Sequence, residues 1–386
     1  MRTWYFSENP YPYLPDPSTF ESIRVSLPNA LYDPKIGAQL YRRYLDEWSI
    51  ADELGLEVMI NEHHQTATNL NPSPAVVLGA LTQRTKRARL LILGNPIANR
   101  PDPVRLAEEM AMVDNYSFGR LECGFVRGVP YEIFPANANP ARTTERMWEG
   151  IDLVVKAWTT HDGPFTWEGR NYQYRNVNIW PRPYQQPHPP IWITAGSPAS
   201  AAPIAERGYV CATFLSGYEG TKAIFDRYRE KRASLGLDTP EDRLGYAALV
   251  YVGETDDAAM DGAERLRWYL TSNKVPPQFR NPPGYHPLKA TVALLRGGHT
   301  KFDRNAPLAA AIEQGIVFAG NPDTVVAQIR KHYAFTGGYG HLLMMGQGGF
   351  MDHDETVRSM TLFANEVYPR LKELRVEAAP VGAAAV

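Results

Sequence analysis

Apolar positions along the chain follow two alternating patterns. Short apolar runs bounded by turn residues give way to longer stretches in which apolar residues recur every three or four positions. These are the marks of buried strands and amphipathic helices. A strand is predicted over Arg2–Ser7, then a proline-rich irregular segment over Tyr11–Pro34. A helix over Ile36–Leu54 carries Leu40, Tyr44, Leu45, Trp48 and Leu54 near helical spacing. The alternation continues with a strand at Glu57–Asn61, a helix at Pro74–Thr85, a strand at Arg89–Gly94, a helix at Pro103–Tyr116, a strand at Leu121–Val126 and a helix at Ala141–Thr159.

Phe165–Trp180, with Trp167, Tyr172 and Tyr174, reads as a hairpin excursion. Strands follow at Pro190–Thr194, Gly208–Phe214, Arg243–Gly253 and Gly340–Gly346. The intervening helices are one opening near Pro198, Gly220–Leu235, Thr255–Leu270 and Asn321–Thr336. Repeated β-then-α order means a parallel sheet, and eight such units predict an α/β fold of the (β/α)8 TIM-barrel type with insertions. One barrel domain is expected over residues 1–377. Residues 272–305, rich in Pro, Gly and basic side chains, are expected to form a lid over the mouth, and the tail 378–386 to be disordered.

A length of 386 residues suits a barrel of roughly 250 residues carrying insertions. With 44% hydrophobic and 21% charged residues and a formal net charge of -2, the chain reads as a soluble globular protein without the basic footprint of a nucleic-acid or anionic-membrane binder. Cys123 and Cys211, the two cysteines, both fall in predicted buried strands and supply no disulfide framework or metal site. The start lacks the apolar core of a signal peptide, and no uncharged apolar stretch is long enough to span a bilayer. A cytoplasmic location is expected.

Barrel chemistry gathers where strands end. The second strand ends in Glu62-His63-His64, the third in Gly94-Asn95-Pro96, the fourth in Val126-Arg127-Gly128-Val129 and the fifth in Thr194-Ala195-Gly196-Ser197. Successive strand ends bear no pair of carboxylates of the glycosidase kind. Adjacent histidines on a strand point to opposite sides, so no metal site is expected. Arg127 suits a phosphate or carboxylate, because its planar fork offers several donors and stays charged. Ala195–Ser200 is a small-residue turn opening a helix; Ser197 or Ser200 could simply cap it, but together with Arg127 and Arg142 it points to a phosphate site. Walker A, G-x-G-x-x-G and G-x-S-x-G patterns are absent from the strand–helix junctions.

A series of motifs carries a family resemblance. These are Glu62-His63-His64, Pro103-Val104-Arg105-x-Ala107-Glu108-Glu109, Asp114-x-x-Ser117-x-Gly119-Arg120, Gly124-Phe125-Val126-Arg127-Gly128, the run from Trp180 to Ile191, Gly196-Ser197 and the closing strand at Gly340. In order and spacing the chain resembles the bacterial luciferase-like flavin monooxygenases. The resemblance implies a TIM barrel that takes reduced FMN from a separate flavin reductase. With O2 as co-substrate, a flavin hydroperoxide would oxygenate a medium-sized hydrophobic molecule. It implies His63, with His64 beside it, as acid/base, and Asn95 as a hydrogen-bonding group at the ring or peroxide. Cofactor contacts are implied at Glu62, Gly94, Asn95, Val126, Arg127, Val129, Arg142, Thr194, Gly196, Ser197 and Ser200. Gly94-Asn95 would be the strand-three bulge under the ring, often a non-proline cis peptide.

Where luciferase has a reactive cysteine the chain has Val126, so light-emitting aldehyde oxidation is not implied. Tyr11, Tyr13, Tyr131 and Phe134 are candidate substrate contacts, with loop packing as the alternative. Pairing through the helices after the second and third strands, as is usual for the family, makes a homodimer the expectation. A deazaflavin-dependent hydride-transfer enzyme on the same fold and a non-catalytic flavin-binding subunit are the rival readings.

Overall fold

In the computed structural model, which describes residues 1–16, 19–271, 275–295, 306–372 and 374, alternate strand residues face inward and outward around a closed parallel barrel. The strands in chain order are β1 (Arg2–Ser7), β2 (Glu57–Ile60), β3 (Leu90–Pro96), β4 (Leu121–Val126), β5 (Phe165–Glu168), β6 (Gln173–Val177), β7 (Ile191–Thr194), β8 (Val210–Phe214), β9 (Leu244–Val252), β10 (Val317–Gly320) and β11 (His341–Gln347). The barrel runs β1-β2-β3-β4-β7-β8-β9-β11 and closes where Arg2 to Phe6 pair with His341 to Met345. The antiparallel pair β5–β6 is the expected hairpin excursion.

Helices α1 (Pro34–Glu53), α2 (Pro74–Arg84), α3 (Pro103–Tyr116), α4 (Thr143–Thr159), α5 (Pro198–Arg207), α6 (Gly217–Ser234) and α7 (Asp256–Leu266) pack on the outside. Helix α1 starts at Pro34 because its fixed φ suits the first turn, and Asp33 accepts the Lys35 N–H at 2.7 Å. Its buried side, including Leu40, Tyr44 and Trp48, joins the outer core with Val58, Ile60, Leu90, Ile92, Cys123, Phe125 and Cys211. Both cysteines are free and buried in β4 and β8.

The inner core is separate and includes Trp4, Phe6, Met59, Leu91, Leu93, Trp192, Ala212, Leu249, Leu343 and Met345. Towards its base the Trp4 and Trp192 rings meet edge to face at 5.5 Å, and Trp4 Nε1 donates to His341 Nδ1 at 3.1 Å. An indole only donates, so His341 keeps its proton on Nε2 and gives it to Asp242 O at 2.9 Å.

One strand was not expected. β10 takes over from β8 along the length of β9: β8 pairs with Leu244–Ala247, and β10 with Leu249–Val252. The tail 378–386 and the stretches 272–274 and 296–305 of the expected lid lie outside the described residues. Between those stretches lie the short helix Pro277–Arg280 and the helix Leu288–Leu295. Phe279 packs edge to face on Phe134 at 5.1 Å, which lays this segment on the loop after β4. No helix among the described residues is long and apolar enough to cross a membrane.

Candidate active site

The chain after β2 brings two histidines to the barrel mouth, and each meets a different carboxylate. His63 Nδ1 lies 2.7 Å from Oε1 of Glu132, which also accepts the His64 backbone N–H at 3.2 Å. His64 turns back, its Nε2 2.8 Å from Glu62 Oε1, while Arg100 Nη2 holds the other Glu62 oxygen at 2.6 Å. That hydrogen bond to Glu62 raises the His64 pKa above the ordinary histidine value, against the opposing effect of burial.

A buried polar network fixes the loop. Asn61 Nδ2 and Asn69 Nδ2 donate to Glu8 Oε2 at 2.9 and 3.3 Å, and Asn69 also donates to Asn61 Oδ1 at 2.8 Å. Asn71 Nδ2 closes the set on Asn61 O at 2.7 Å, and Asn71 O accepts the His63 N–H at 3.3 Å. Among the described residues no group of His, Cys, Asp and Glu could hold a metal ion.

The bulge expected in the third strand is present, but the cis peptide is Leu93–Gly94, one bond before Gly94–Asn95. The register slips between Ile92 and Asn95, which changes the side each following residue faces. Leu93 belongs to the inner core, whereas Asn95 is fully buried with its Nδ2 donating to Gly124 O at 3.0 Å and reaching Cys123 Sγ in the outer core. The Asn95 amide is therefore turned away from the mouth, a correction to the ring or peroxide contact expected of it. Gly124 is required opposite the bulge, because a Cβ there would lie 2.5 Å from Ile92 O.

β4 and β7 are neighbours, with Phe125 level with Ile193, so their exits share one stretch of the rim. Val126 and Thr194, each two residues on from an inward position of its strand, are half-buried at this level. Arg127 follows, its guanidinium under the Tyr285 ring at 3.7 Å and donating to Tyr285 O at 3.1 Å and Thr144 Oγ1 at 3.3 Å. Tyr285 in turn donates its hydroxyl to Gly128 O at 2.6 Å. Val129 is the residue before the short turn Pro130–Glu132 that carries Glu132. Arg142, directly before α4, is half-buried and donates to Arg170 O at 3.3 Å. At the start of α5, Ser197 and Ser200 form a capping box, with Ser200 Oγ accepting the Ser197 N–H at 3.1 Å. Capping, the simpler of the two readings of this turn, is thus in place; Ser197 is exposed, while Ser200 is half-buried and donates its hydroxyl to Ser197 O at 2.7 Å.

A flavin phosphate needs cationic and hydroxyl donors at the rim and an apolar shelf for the ring. Arg127, Thr144 and Ser197 could donate to such a phosphate, and Leu93, Val126 and Phe214 could form such a shelf. In charge and donor type the residues fit that group.

The four aromatic candidates divide. Tyr11 is buried, its hydroxyl accepting the Asp33 N–H at 3.0 Å and its ring against Tyr32 at 5.1 Å. It therefore packs the first loop onto α1, which corrects its assignment as a substrate contact. Tyr13 is 59% exposed. Tyr131 is buried with the Arg24 guanidinium over its ring at 5.3 Å and hydrogen-bonded to its hydroxyl. Phe134 is half-exposed against Phe279. Sequence reasoning missed Glu132, Arg100 and Glu8. Only Glu8, directly after a predicted strand, carried a local signal.

A family profile described as luciferase-like monooxygenase matches residues 27–339. The oxygenase component of the flavin-dependent trigonelline monooxygenase of Acinetobacter baylyi is 32% identical over 172 residues, 44% of this chain and 47% of that protein, so the chain spans about half the length of that curated relative. Among solved structures, the oxygenating constituent of 3,6-diketocamphane monooxygenase from Pseudomonas putida, a type II Baeyer-Villiger monooxygenase in complex with FMN, superposes with a TM-score of 0.72 at 20% identity. The superposition covers 96% of this chain and 98% of that one. An F420-dependent secondary alcohol dehydrogenase in complex with an F420-acetone adduct gives 0.67 at 17% identity over 97% of this chain and 100% of its own.

Proposed function

The chain belongs to the luciferase-like monooxygenase family, and we propose that within it the protein is an FMN-dependent monooxygenase acting on a medium-sized hydrophobic substrate. What supports this reading is the rim shared by β4 and β7, where Arg127 follows one strand and the Ser197–Ser200 turn follows the other. Bound reduced FMN supplies the activation of O2 and the transfer of one oxygen atom. Arg127 and the α5 start hold the phosphate and fix the cofactor's orientation. Leu93, Val126 and Phe214 keep water from the floor. His63 exchanges a proton with substrate in the mouth.

In this reading reduced FMN arrives from a separate flavin reductase and the enzyme works in the cytoplasm as a homodimer. On α2, Val76 is 72% exposed and Ala75, Val77, Gly79 and Ala80 are half-buried; Met112 on α3 is exposed as well. Such small apolar residues allow a second copy to approach closely.

Oxygen uptake by the purified protein with reduced FMN, measured against ketones, terpenes, aromatics, thioethers and long-chain aldehydes, tests the assignment. Substrate-dependent uptake with incorporation of one labelled oxygen atom is the expected result. Reduction of a deazaflavin by an alcohol, with no oxygen consumed, would move the protein to the hydride-transfer branch of the fold.

A further inference from the structure

The carboxylate that faces His63 comes from a different strand exit. Glu132 sits four residues after Gly128, on the turn that leaves β4, and it is 2% exposed. Its Oε1 receives both His63 Nδ1 at 2.7 Å and the His64 backbone N–H at 3.2 Å. Gly128, at φ +89°, turns the chain between Arg127 and this acid, and a Cβ there would meet the Asn99 side chain at 2.6 Å. One short loop therefore carries both the rim guanidinium and the partner of the mouth histidine.

We propose that Glu132 is a positioning residue for His63: it fixes the ring with the proton on Nδ1 and leaves Nε2 as the one atom that exchanges a proton with substrate. A carboxylate only accepts, so the nitrogen it faces must carry hydrogen. Nε2 has no hydrogen-bond partner among the described residues and is not sealed from solvent, the side chain keeping 13% exposure. When Nε2 takes a proton from a substrate O–H, the ring becomes an imidazolium and the substrate oxygen an anion. Glu132 stays ionised and stabilises that cation, as the buried carboxylate does in a histidine–aspartate pair. His64 is held differently, its Nε2 by Glu62 and Glu62 in turn by Arg100. The charged groups around the pair are Glu132 from the β4 exit, Glu62 beside it in the chain and Arg100 from the loop after β3. The proposal deepens the monooxygenase reading by naming what prepares its proton-transfer group.

The test is the tautomer of His63, read from nitrogen chemical shifts of histidine-labelled full-length protein, with His63→Gln used to assign the signal. The wild type should carry its proton on Nδ1. Glu132→Leu, which removes the acceptor, should move it towards Nε2, and Glu132→Asp should retain the wild-type form. In oxygen-uptake assays Glu132→Leu and Glu132→Gln should lose at least about tenfold in kcat while KM for reduced FMN changes by less than about threefold, with partial recovery in Glu132→Asp. A wild-type His63 protonated on Nε2, or an unchanged tautomer and kcat in Glu132→Leu, would overturn the proposal. The wild-type spectrum needs only its assignment by His63→Gln and no turnover, so it decides on the dyad even if no substrate supports oxygen uptake.

Discussion

The guanidinium of Arg127 lies face-on beneath the Tyr285 ring, 3.7 Å from its centroid, across 158 residues of chain. The same tyrosine reaches past it to Gly128 O. The segment around Tyr285 is therefore fastened to the cation proposed to receive the cofactor phosphate, and cofactor binding and segment anchoring draw on one side chain. Arg127→Ala should weaken FMN binding by about ten- to a hundredfold, the loss of a charge-assisted hydrogen bond worth roughly 1.5–3 kcal/mol. It should also speed proteolysis between residues 275 and 295. Fluorescence titration and limited proteolysis measure the two effects, and unchanged FMN affinity would remove Arg127 from the site.

Gly124→Ala is expected to be severe. Its Cβ would sit 2.5 Å from Ile92 O and 2.6 Å from Leu93 Cδ1, and the backbone oxygen has no room to retreat beside the bulge. A loss of ~2–4 kcal/mol in urea unfolding is expected. A variant as stable as the wild type would mean that β3 and β4 are not packed this closely.

Acid should unfold the protein through its buried neutral histidines. His332 stacks on Tyr246 at 4.0 Å, and burial pushes its pKa down to about 4; burial likewise pushes His341 down to about 3. The unfolded chain binds these protons first, so stability is intact above about pH 6.5 and falls as pH drops towards those values. For His332 the difference corresponds to on the order of 3 kcal/mol. Urea midpoints between pH 7 and pH 4 measure the slope, and His332→Phe should flatten it. An equal slope in that variant would refute the assignment.

His64 acts in the opposite sense. Its hydrogen bond to Glu62 raises its pKa, so the stability it adds is full below about pH 6.5 and is lost as pH rises through the folded-state value. Glu62→Gln should remove that pH dependence and free Arg100 Nη2. Thermal melts of both proteins between pH 6 and pH 9 should differ least at the alkaline end, where only the lost Arg100 pair separates them, and more as pH falls. Parallel curves would show that Glu62 does not control His64.

Much of this fold was legible because buried parallel strands and amphipathic helices differ in both length and period. All eight barrel strands and the β5–β6 excursion lie where apolar runs and turn residues placed them. β10 escaped because Val317–Gly320 is four residues long and borrows its pairing from the upper half of β9, a partner invisible to local periodicity. Around the mouth, residues at strand ends could be named from their position. Their partners could not: Glu132 meets His63 across 69 residues and carries no spacing signal. Asn95 was misplaced for a backbone reason, since period-two reasoning assumes an unbroken strand and the bulge at Leu93–Gly94 changes the side it faces.

The hand-over between β8 and β10 has a bearing on how such an enzyme changes its diet. The chain departs from β9 at Val252 and rejoins the same strand at Val317, opposite Leu249, with Gly253 N bonded to Gly320 O. Everything between is spliced into the wall at a single seam, and Tyr285 and Phe279 ride on it to the rim. A change of length in the segment that carries Tyr285 would leave the pairings of β9 on either side of the seam in register.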